Sequence, residues 1–306
     1  MKPVYLDTAA RGVLVARAAE LYAMMKHCTL CPHGCGVDRT AGERGFCRSG
    51  ILPVVSSAAP HFGEENVLVG KNGSGTVFFT HCNMACIFCQ NYDISHLGSG
   101  REITYDDLAG IMIRLQNAGC HNINLVTPTH MVYAIIRSLD IAVERGLSIP
   151  LVYNTGGYDT VPLLHLLDGI VDIYMPDYKY ADSSTAQGLS GVSGYPDVAR
   201  NAIAEMHRQT GDLSVEGSLA VRGLLVRHLV LPGNAAGTFR VMDDIAALST
   251  DTYINIMDQY RPEYRAHEDG RIRRRTTLDE YDEILAYARR KGLHRGPQLD
   301  GHRGYF

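Results

Sequence analysis

The chain of 306 residues lacks both a strong net charge and a long apolar run. Its formal net charge of −4 gives no global electrostatic reason to bind nucleic acid. The one strongly basic run, residues 271–275, is interpreted as a solvated face or turn rather than a polyanion site. No apolar stretch is long enough to cross a bilayer, and Arg17 and Glu20 interrupt the stretch nearest to a signal peptide. We therefore expect a soluble cytoplasmic protein whose partners include neither nucleic acid nor membrane.

The chain has eight cysteines, which is unusual for a cytoplasmic enzyme unless several of them bind metal. Disulfide frameworks spread their cysteines through a small domain, whereas tight clusters in an otherwise ordinary chain are typical of metal-ligand sets. Only Cys120 stands by itself, and it is interpreted as a small buried residue. The two clusters are the four-cysteine set Cys28, Cys31, Cys35 and Cys47 and the three-cysteine set Cys82, Cys86 and Cys89.

Short β-branched or aromatic runs alternate with longer helix-like segments from about residue 76 onward. This alternation predicts βα units with a parallel sheet, and therefore an α/β fold. The predicted strands are residues 76–80, 122–126, 149–153, 170–175, 225–231 and 252–257, and the predicted helices are 105–118, 131–145, 161–167, 195–210 and 237–248. Periodicity leaves open whether the strands form a partial barrel or an open doubly wound sheet. In both architectures ligands bind at the carboxyl ends of the strands.

Composition divides the chain into three predicted regions. Residues 1–72 contain a predicted helix at 13–25 and a stretch rich in Cys, Gly and Pro, and they are interpreted as a small N-terminal metal-binding module. Residues 73–262 carry the alternating pattern and form the predicted core domain. Residues 263–306 are predicted to be a C-terminal helical extension.

The three-cysteine loop, residues 80–91, directly follows the first predicted strand of the core. A Cys-x3-Cys-x2-Cys spacing can wrap one cubane iron–sulfur cluster and supply three of its four corner ligands. The fourth iron would then be open to chelate the amino and carboxylate groups of a substrate. The alternative is a zinc site that the three thiols form with His81 or His96.

At these residues the chain resembles the radical S-adenosylmethionine (SAM) superfamily, whose loop has the same spacing and an aromatic residue, here Phe88, before the last cysteine. Segments 28–32, 41–47, 122–130, 172–180 and 227–233 are similar to the pyruvate formate-lyase activating-enzyme group, and within it to an uncharacterised iron–sulfur branch. The resemblance implies a partial (β/α)6 barrel of radical SAM type, a [4Fe–4S] cluster and bound SAM. It also implies reductive cleavage of SAM to methionine and a 5′-deoxyadenosyl radical that abstracts hydrogen.

The resemblance further implies six residues that contact SAM, namely Thr127, Thr129, Asn154, Thr155, Lys179 and His228. The two threonines Thr127 and Thr129 stand where activating enzymes have a Gly-Gly-Glu-Pro turn, and Asn154 stands where they have an aspartate. Lys179 matches the family's Asp-x-Lys position, where it would pair with the methionine carboxylate. The alternatives are an ordinary surface salt bridge for Lys179 and a core histidine for His228.

The four-cysteine set has the spacing Cys-x2-Cys-x3-Cys-x11-Cys, which offers four thiolates to one centre. Four thiolates suit structural zinc, which would cross-link a segment that lacks a hydrophobic core of its own. They equally suit a second iron–sulfur cluster, and the close spacing slightly favours that interpretation.

Three functions are compatible with these features. The resemblance implies an activating enzyme for a glycyl-radical protein, with a low-potential donor such as flavodoxin or ferredoxin as its electron source. The second is the same radical chemistry on a small molecule. The third is a non-catalytic iron–sulfur or zinc protein that carries electrons.

Overall fold

Strands and helices alternate along residues 2–299, the part of the chain that this computed structural model describes. The strands in this part are β1 (Val54–His61), β2 (Ser74–Phe79), β3 (Arg101–Glu102), β4 (Ile123–Val126), β5 (Leu151–Thr155), β6 (Ile173–Pro176), β7 (Ser214–Glu216), β8 (Leu219–Leu229) and β9 (Tyr253–Met257). The α-helices are α1 (Tyr5–Ala10), α2 (Val13–Met25), α3 (Asn66–Val69), α4 (Tyr92–Ser95), α5 (Tyr105–Asn117), α6 (Val132–Glu144), α7 (Val161–Leu167), α8 (Ser183–Ser190), α9 (Tyr195–Thr210), α10 (Thr238–Leu248) and α11 (Leu278–Arg290). This confirms the predicted α/β class.

Six strands form the parallel part of the sheet, and they neighbour one another in chain order as β2-β4-β5-β6-β8-β9. Each overlaps one of the six predicted strands. The register places Val126 of β4 opposite Asn154 of β5, so neighbouring strands end at the same level. The carboxyl ends of the parallel strands therefore meet at one edge of the sheet, where ligands bind in folds of this kind.

Three antiparallel strands make the sheet mixed rather than parallel throughout. β1 pairs with β2, β3 pairs with β1, and β7 pairs with the first part of β8. β1 lies in the N-terminal region, and its Ser-Ser-Ala-Ala-Pro sequence lacks the β-branched alternation by which a strand is recognised. No sequence pattern therefore predicts this strand.

The helices pack on the sheet and share one apolar core with it. α5 packs against α6, α7 against α9 and α10 against α11, while α1 and α2 pack against α6. α5 begins with a capping box between Thr104 and Asp107, which fits the predicted helix start. Within residues 2–299, no helix combines the length and apolar character that a membrane span requires.

The three predicted regions are represented by distinct elements. α2 lies in the N-terminal region at its predicted position, and α11 lies in the region predicted as a helical extension. Residue 1 and residues 300–306 belong to the two outer regions and lie outside the described residues. The boundaries at residues 72 and 262 stay predictions.

Candidate metal and cofactor site

The three-cysteine loop leaves the carboxyl end of β2 and is held by backbone hydrogen bonds to α8. The Ala85 N–H donates to the Ser190 carbonyl at 2.8 Å. The Ile87 N–H donates to the Leu189 carbonyl at 2.9 Å. His81, which precedes the first cysteine of the loop, has a φ of 69°, in the left-handed region that a residue other than glycine rarely adopts. Tertiary contacts therefore hold the loop in a conformation that its local sequence would not choose.

Two thiols of this loop accept hydrogen bonds from neighbouring groups. The Ser190 hydroxyl donates to Cys86 Sγ at 3.0 Å, and the Met84 N–H donates to Cys82 Sγ at 3.3 Å. Burial raises the pKa of both thiols. Hydrogen bonds of this kind and a nearby positive charge are therefore needed to stabilise the thiolate forms. The same factors stabilise thiolates in sites where sulfur binds metal.

The three thiols line one cavity of about 190 Å³ at the carboxyl ends of the parallel strands. Four of the six residues implied to contact SAM line the same cavity, namely Thr127, Asn154, Thr155 and Lys179. A second cavity of about 430 Å³ adjoins it, because Cys86, Cys89 and Lys179 line both. Small-molecule sites in proteins enclose roughly 300–1,000 Å³, so the two cavities together suffice for a ligand of that size.

Thr129, which the resemblance also implied, lies beneath the cavity rather than on its wall. It is fully buried, and its hydroxyl donates to Asp159 at 2.7 Å. The Thr155 hydroxyl donates to the same carboxylate at 2.6 Å. Asp159 therefore accepts hydrogen bonds from both threonines. Thr129 contributes to the cavity indirectly, because it holds the carboxylate that orients Thr155.

His228 is also fully buried, and both of its ring nitrogens have partners. One bonds with the Tyr178 carbonyl at 2.5 Å and the other with the Thr238 hydroxyl at 2.8 Å. Its neighbour Arg227 lines the cavity, and successive residues of a strand face opposite sides. His228 therefore faces α10, which contributes Thr238, and burial lowers its pKa to about 4.

Buried charges on the cavity wall compensate one another. Arg227 forms ion pairs with Asp177 at 2.9 Å and Glu64 at 3.2 Å, and it donates to the Asn154 side-chain carbonyl at 2.8 Å. Lys179 lies 2.6 Å from Asp177. Burial by itself would raise the pKa of the Asp177 carboxyl, but Arg227 and Lys179 together hold it below its usual value. The cavity wall therefore carries a charge network that is ionised at neutral pH.

The sequence did not single out Arg227 or Glu64 as site residues. Strand alternation offers a signal for Arg227, because only one of the adjacent residues Arg227 and His228 can face the cavity. No pattern marks Glu64, since it lies in the irregular segment between β1 and α3 and reaches Arg227 only through the fold.

The four-cysteine set also lines one small cavity, together with Arg39 and His130. A Cβ atom added at Gly45 would lie only 2.8 Å from Cys35 Sγ, so the chain can pass this thiol only at a glycine. The following Phe46 N–H donates to the same sulfur at 3.4 Å. Glycine spacing and backbone donors therefore help to shape this second thiol site.

Arg39 and His130 are each only 2% exposed. Arg39 Nη2 donates to the carbonyls of Gly50 and His130 at 2.5 and 2.8 Å, but within residues 2–299 its Nε and Nη1 have no hydrogen-bond partner. His130 Nε2 donates to the Thr80 carbonyl at 2.9 Å, and burial lowers the pKa of the ring to about 3. A buried guanidinium with unused donors beside four thiols fits an anionic metal–thiolate centre.

The cysteines of residues 2–299 are all free of disulfide bonds. Over the same residues, no group of three or more histidine, cysteine, aspartate or glutamate side chains is arranged to hold a metal ion. The ligand assignments of both cysteine sets stay predictions.

The chain matches no protein-family profile. It is 35% identical over 280 residues to the uncharacterized protein MJ0674 of Methanocaldococcus jannaschii. That alignment covers 88% of this chain and 76% of the archaeal protein. Since the archaeal protein is uncharacterized, the similarity brings no activity with it.

Proposed function

This chain belongs to the family of the uncharacterized Methanocaldococcus jannaschii protein, and we propose that it is a radical SAM enzyme of the activating-enzyme type. The observation that carries the proposal is that all three thiols of the Cys-x3-Cys-x2-Cys loop line one cavity with Asn154, Thr155 and Lys179. When bound there, a [4Fe–4S] cluster and SAM would supply reductive cleavage to a 5′-deoxyadenosyl radical for hydrogen abstraction.

The chemical character of the cavity residues suits these two groups. Three thiols from one loop provide the incomplete ligand set that leaves room for an exogenous ligand. Thr127 and Thr155 add a hydroxyl each, and Asn154 adds an amide, as polar contacts for a nucleoside or amino-acid moiety. The six parallel strands in chain order support a partial (β/α)6 barrel as the frame of this site.

Lys179 would hold the carboxylate of the methionine moiety. Burial by itself would lower the pKa of this lysine, but the charge of Asp177 and the hydrogen bond to it raise the pKa overall. The ammonium therefore stays charged at neutral pH. Because Asp177 also binds Arg227, the lysine is held in place before a ligand arrives.

We propose a glycine of a protein partner as the substrate, by similarity to the activating enzymes. A second candidate is a small molecule, which the adjoining cavity of about 430 Å³ favours. Its wall includes the Glu64 and Arg227 ion pair and the amide of Gln259, which are polar groups able to orient such a substrate. In either case the thiols must stay reduced, which suits a reducing compartment such as the cytoplasm.

Anaerobic reconstitution with iron and sulfide counting, followed by EPR of the reduced protein, tests the proposal. We expect added SAM to change the EPR signal and 5′-deoxyadenosine to form. Cys82→Ala, Cys86→Ala and Cys89→Ala should each abolish both results, because each removes one ligand.

Cys120→Ala is the matched control, since Cys120 is a buried cysteine that is absent from the walls of both cavities. It should keep both results. Retained SAM cleavage in all three loop variants, or zinc in place of iron at the loop, would remove the assignment. A reducible cluster that never responds to SAM would instead identify an electron carrier.

A further inference from the structure

The four-cysteine set and the three-cysteine loop are joined by hydrogen bonds on both sides of Cys82. His33 lies between two of the four N-terminal cysteines, and its Nε2 donates to the carbonyl of Asn83 at 2.9 Å. His130 lines the cavity of the four cysteines, and its Nε2 donates to the Thr80 carbonyl at 2.9 Å. Asn83 follows Cys82 directly, and Thr80 precedes it by two residues. Two residues of chain span at most about 7 Å, so each link ends close to the first ligand of the loop.

A third link reaches the second cysteine of the loop. Arg48 follows the last of the four N-terminal cysteines, and its Nη1 donates to the His96 carbonyl at 3.3 Å. The His96 ring in turn donates from Nε2 to the Cys86 carbonyl at 3.0 Å. The two thiol sites are therefore neighbours connected through short covalent and hydrogen-bonded paths.

A redox-active metal could use the short separation between the two sites, because an electron could pass from one centre to the other. Zinc keeps a filled d shell and cannot pass an electron, whereas an iron–sulfur cluster accepts and releases one electron. A structural zinc ion would need only to bind the four thiols and so hold their own segment together.

The outer side of the four-cysteine segment reaches the surface. Phe46, beside Cys47, is 40% exposed, and Arg44 and Arg48 are exposed on the same short segment. An apolar side chain flanked by cations suits docking of an acidic protein, because charge complementarity guides the encounter. This surface belongs to the four-cysteine segment, and Arg48 also contacts the His96 carbonyl near the three-cysteine loop.

We propose that the four N-terminal cysteines hold a second [4Fe–4S] cluster, and that it receives the electron that a donor protein delivers for the three-cysteine site. The inference rests on the proposed function. One electron leaves a reduced donor of the flavodoxin or ferredoxin class, which is oxidised by one electron, and the three-cysteine site is reduced by one electron. No bond forms or breaks and no proton moves in this transfer.

Arg39 is the positioning residue of the second site. Its side chain lines the cavity of the four thiols, and its Nε and Nη1 have no hydrogen-bond partner within residues 2–299, so both are free to donate to a ligand bound there. Donors and positive charge near cluster sulfurs favour the reduced, more negative state. Arg39 should therefore raise the reduction potential of the second cluster without affecting the first.

Metal analysis of the full-length protein is the first test. We expect about eight iron and eight sulfide per chain after anaerobic reconstitution, and about four of each in the Cys82→Ala/Cys86→Ala/Cys89→Ala variant. The fully reduced wild-type protein should give an EPR spectrum broadened by coupling between the two centres, and the triple variant should not. A wild-type protein with one zinc and about four iron, or with two uncoupled signals, would overturn the inference. If the triple variant fails to fold, the metal content and the EPR spectrum of the wild-type protein still test the inference.

The second test follows the electron. In Cys28→Ser we expect reduction of the three-cysteine centre by reduced flavodoxin to be lost, while reduction by dithionite remains. Cys120→Ala is the control and should be reduced by both. Equal reduction of wild type and Cys28→Ser by flavodoxin would overturn the electron route.

The role of Arg39 has its own measurement. A spectroscopic redox titration of Arg39→Gln should show a lower potential for the second cluster and an unchanged potential for the first. Arg290→Gln, which changes an exposed arginine on α11, should alter neither potential. An unchanged second potential in Arg39→Gln would remove this role.

Failure of the inference and failure of the proposed function give different results. If dithionite-reduced Cys28→Ser still responds to SAM, the proposed function stands, whatever the flavodoxin result. If the wild-type protein contains two clusters but neither responds to SAM, the proposed function fails while the second metal site remains.

Discussion

Replacing Arg227 by methionine should destabilise the protein strongly, because the guanidinium is the centre of the buried charge network. Its side chain is 17% exposed, and those of its partners Asp177 and Glu64 are 16% and 10% exposed. Removing one partner from a buried ion pair costs about 3–5 kcal/mol, because the other charge stays desolvated. Unfolding entropy of about 2.1 cal/mol/K per residue gives roughly 0.6 kcal/mol/K for this chain, so the melting temperature should fall by about 5–8 °C.

The loss should depend on pH. In the wild-type protein the pKa of Asp177 lies below its usual value of 3.8, so its contribution to stability is present above that pH and lost as the pH falls further. Without Arg227, Lys179 still pairs with Asp177 but no longer shares this role, so the pKa of Asp177 should rise and its carboxylate should contribute less stability at neutral pH. The destabilisation of Arg227→Met should therefore be largest near neutral pH and shrink towards about pH 4.

Anaerobic thermal melts at several pH values measure this effect. Arg222→Met is the matched control, because Arg222 lies on the same strand and donates to the Gln209 carbonyl at 2.9 Å. Loss of one such bond costs about 1 kcal/mol, which corresponds to about 1–2 °C for this chain. Equal melting temperatures for the Arg227→Met and Arg222→Met variants, or a loss that does not change with pH, would refute the reasoning.

Three further predictions follow from the same contacts. Lys179→Met should weaken SAM binding roughly 10–150-fold in an EPR titration, since a bond to a charged group contributes about 1.5–3 kcal/mol. Unchanged affinity would remove Lys179 from the site. Because burial lowers the pKa of His228 from 6.5 to about 4, its stabilisation is complete above pH 6.5 and declines as the pH falls towards 4. This decline should amount to about 3 kcal/mol and be absent from His228→Gln in melts over that range. Gly157→Ala should cost more than Gly146→Ala, because both glycines have positive φ but only at 157 would a Cβ lie 2.4 Å from a carbonyl, that of Asp177. Equal melting temperatures for the two alanine variants would contradict this.

The α/β class and the six parallel strands could be predicted because each strand is a short β-branched run between helix-like segments. β1 could not, because most of its residues are small or polar and form a strand through pairing with β2 and β3. The same limit applies within the site. Lys179 follows a predicted strand and was identified, whereas Glu64 follows no recognisable element.

The sequence by itself determined the two cysteine sets, because ligand spacing within a loop is a local property of the chain. Only the tertiary structure decided that the sets are neighbours, since His130 is 50 residues from Thr80 and His33 is 50 residues from Asn83. It also decided that Arg227, rather than His228, faces the cavity. The physical reason is that contacts between distant segments depend on how strands and helices pack, and no short sequence pattern encodes that packing.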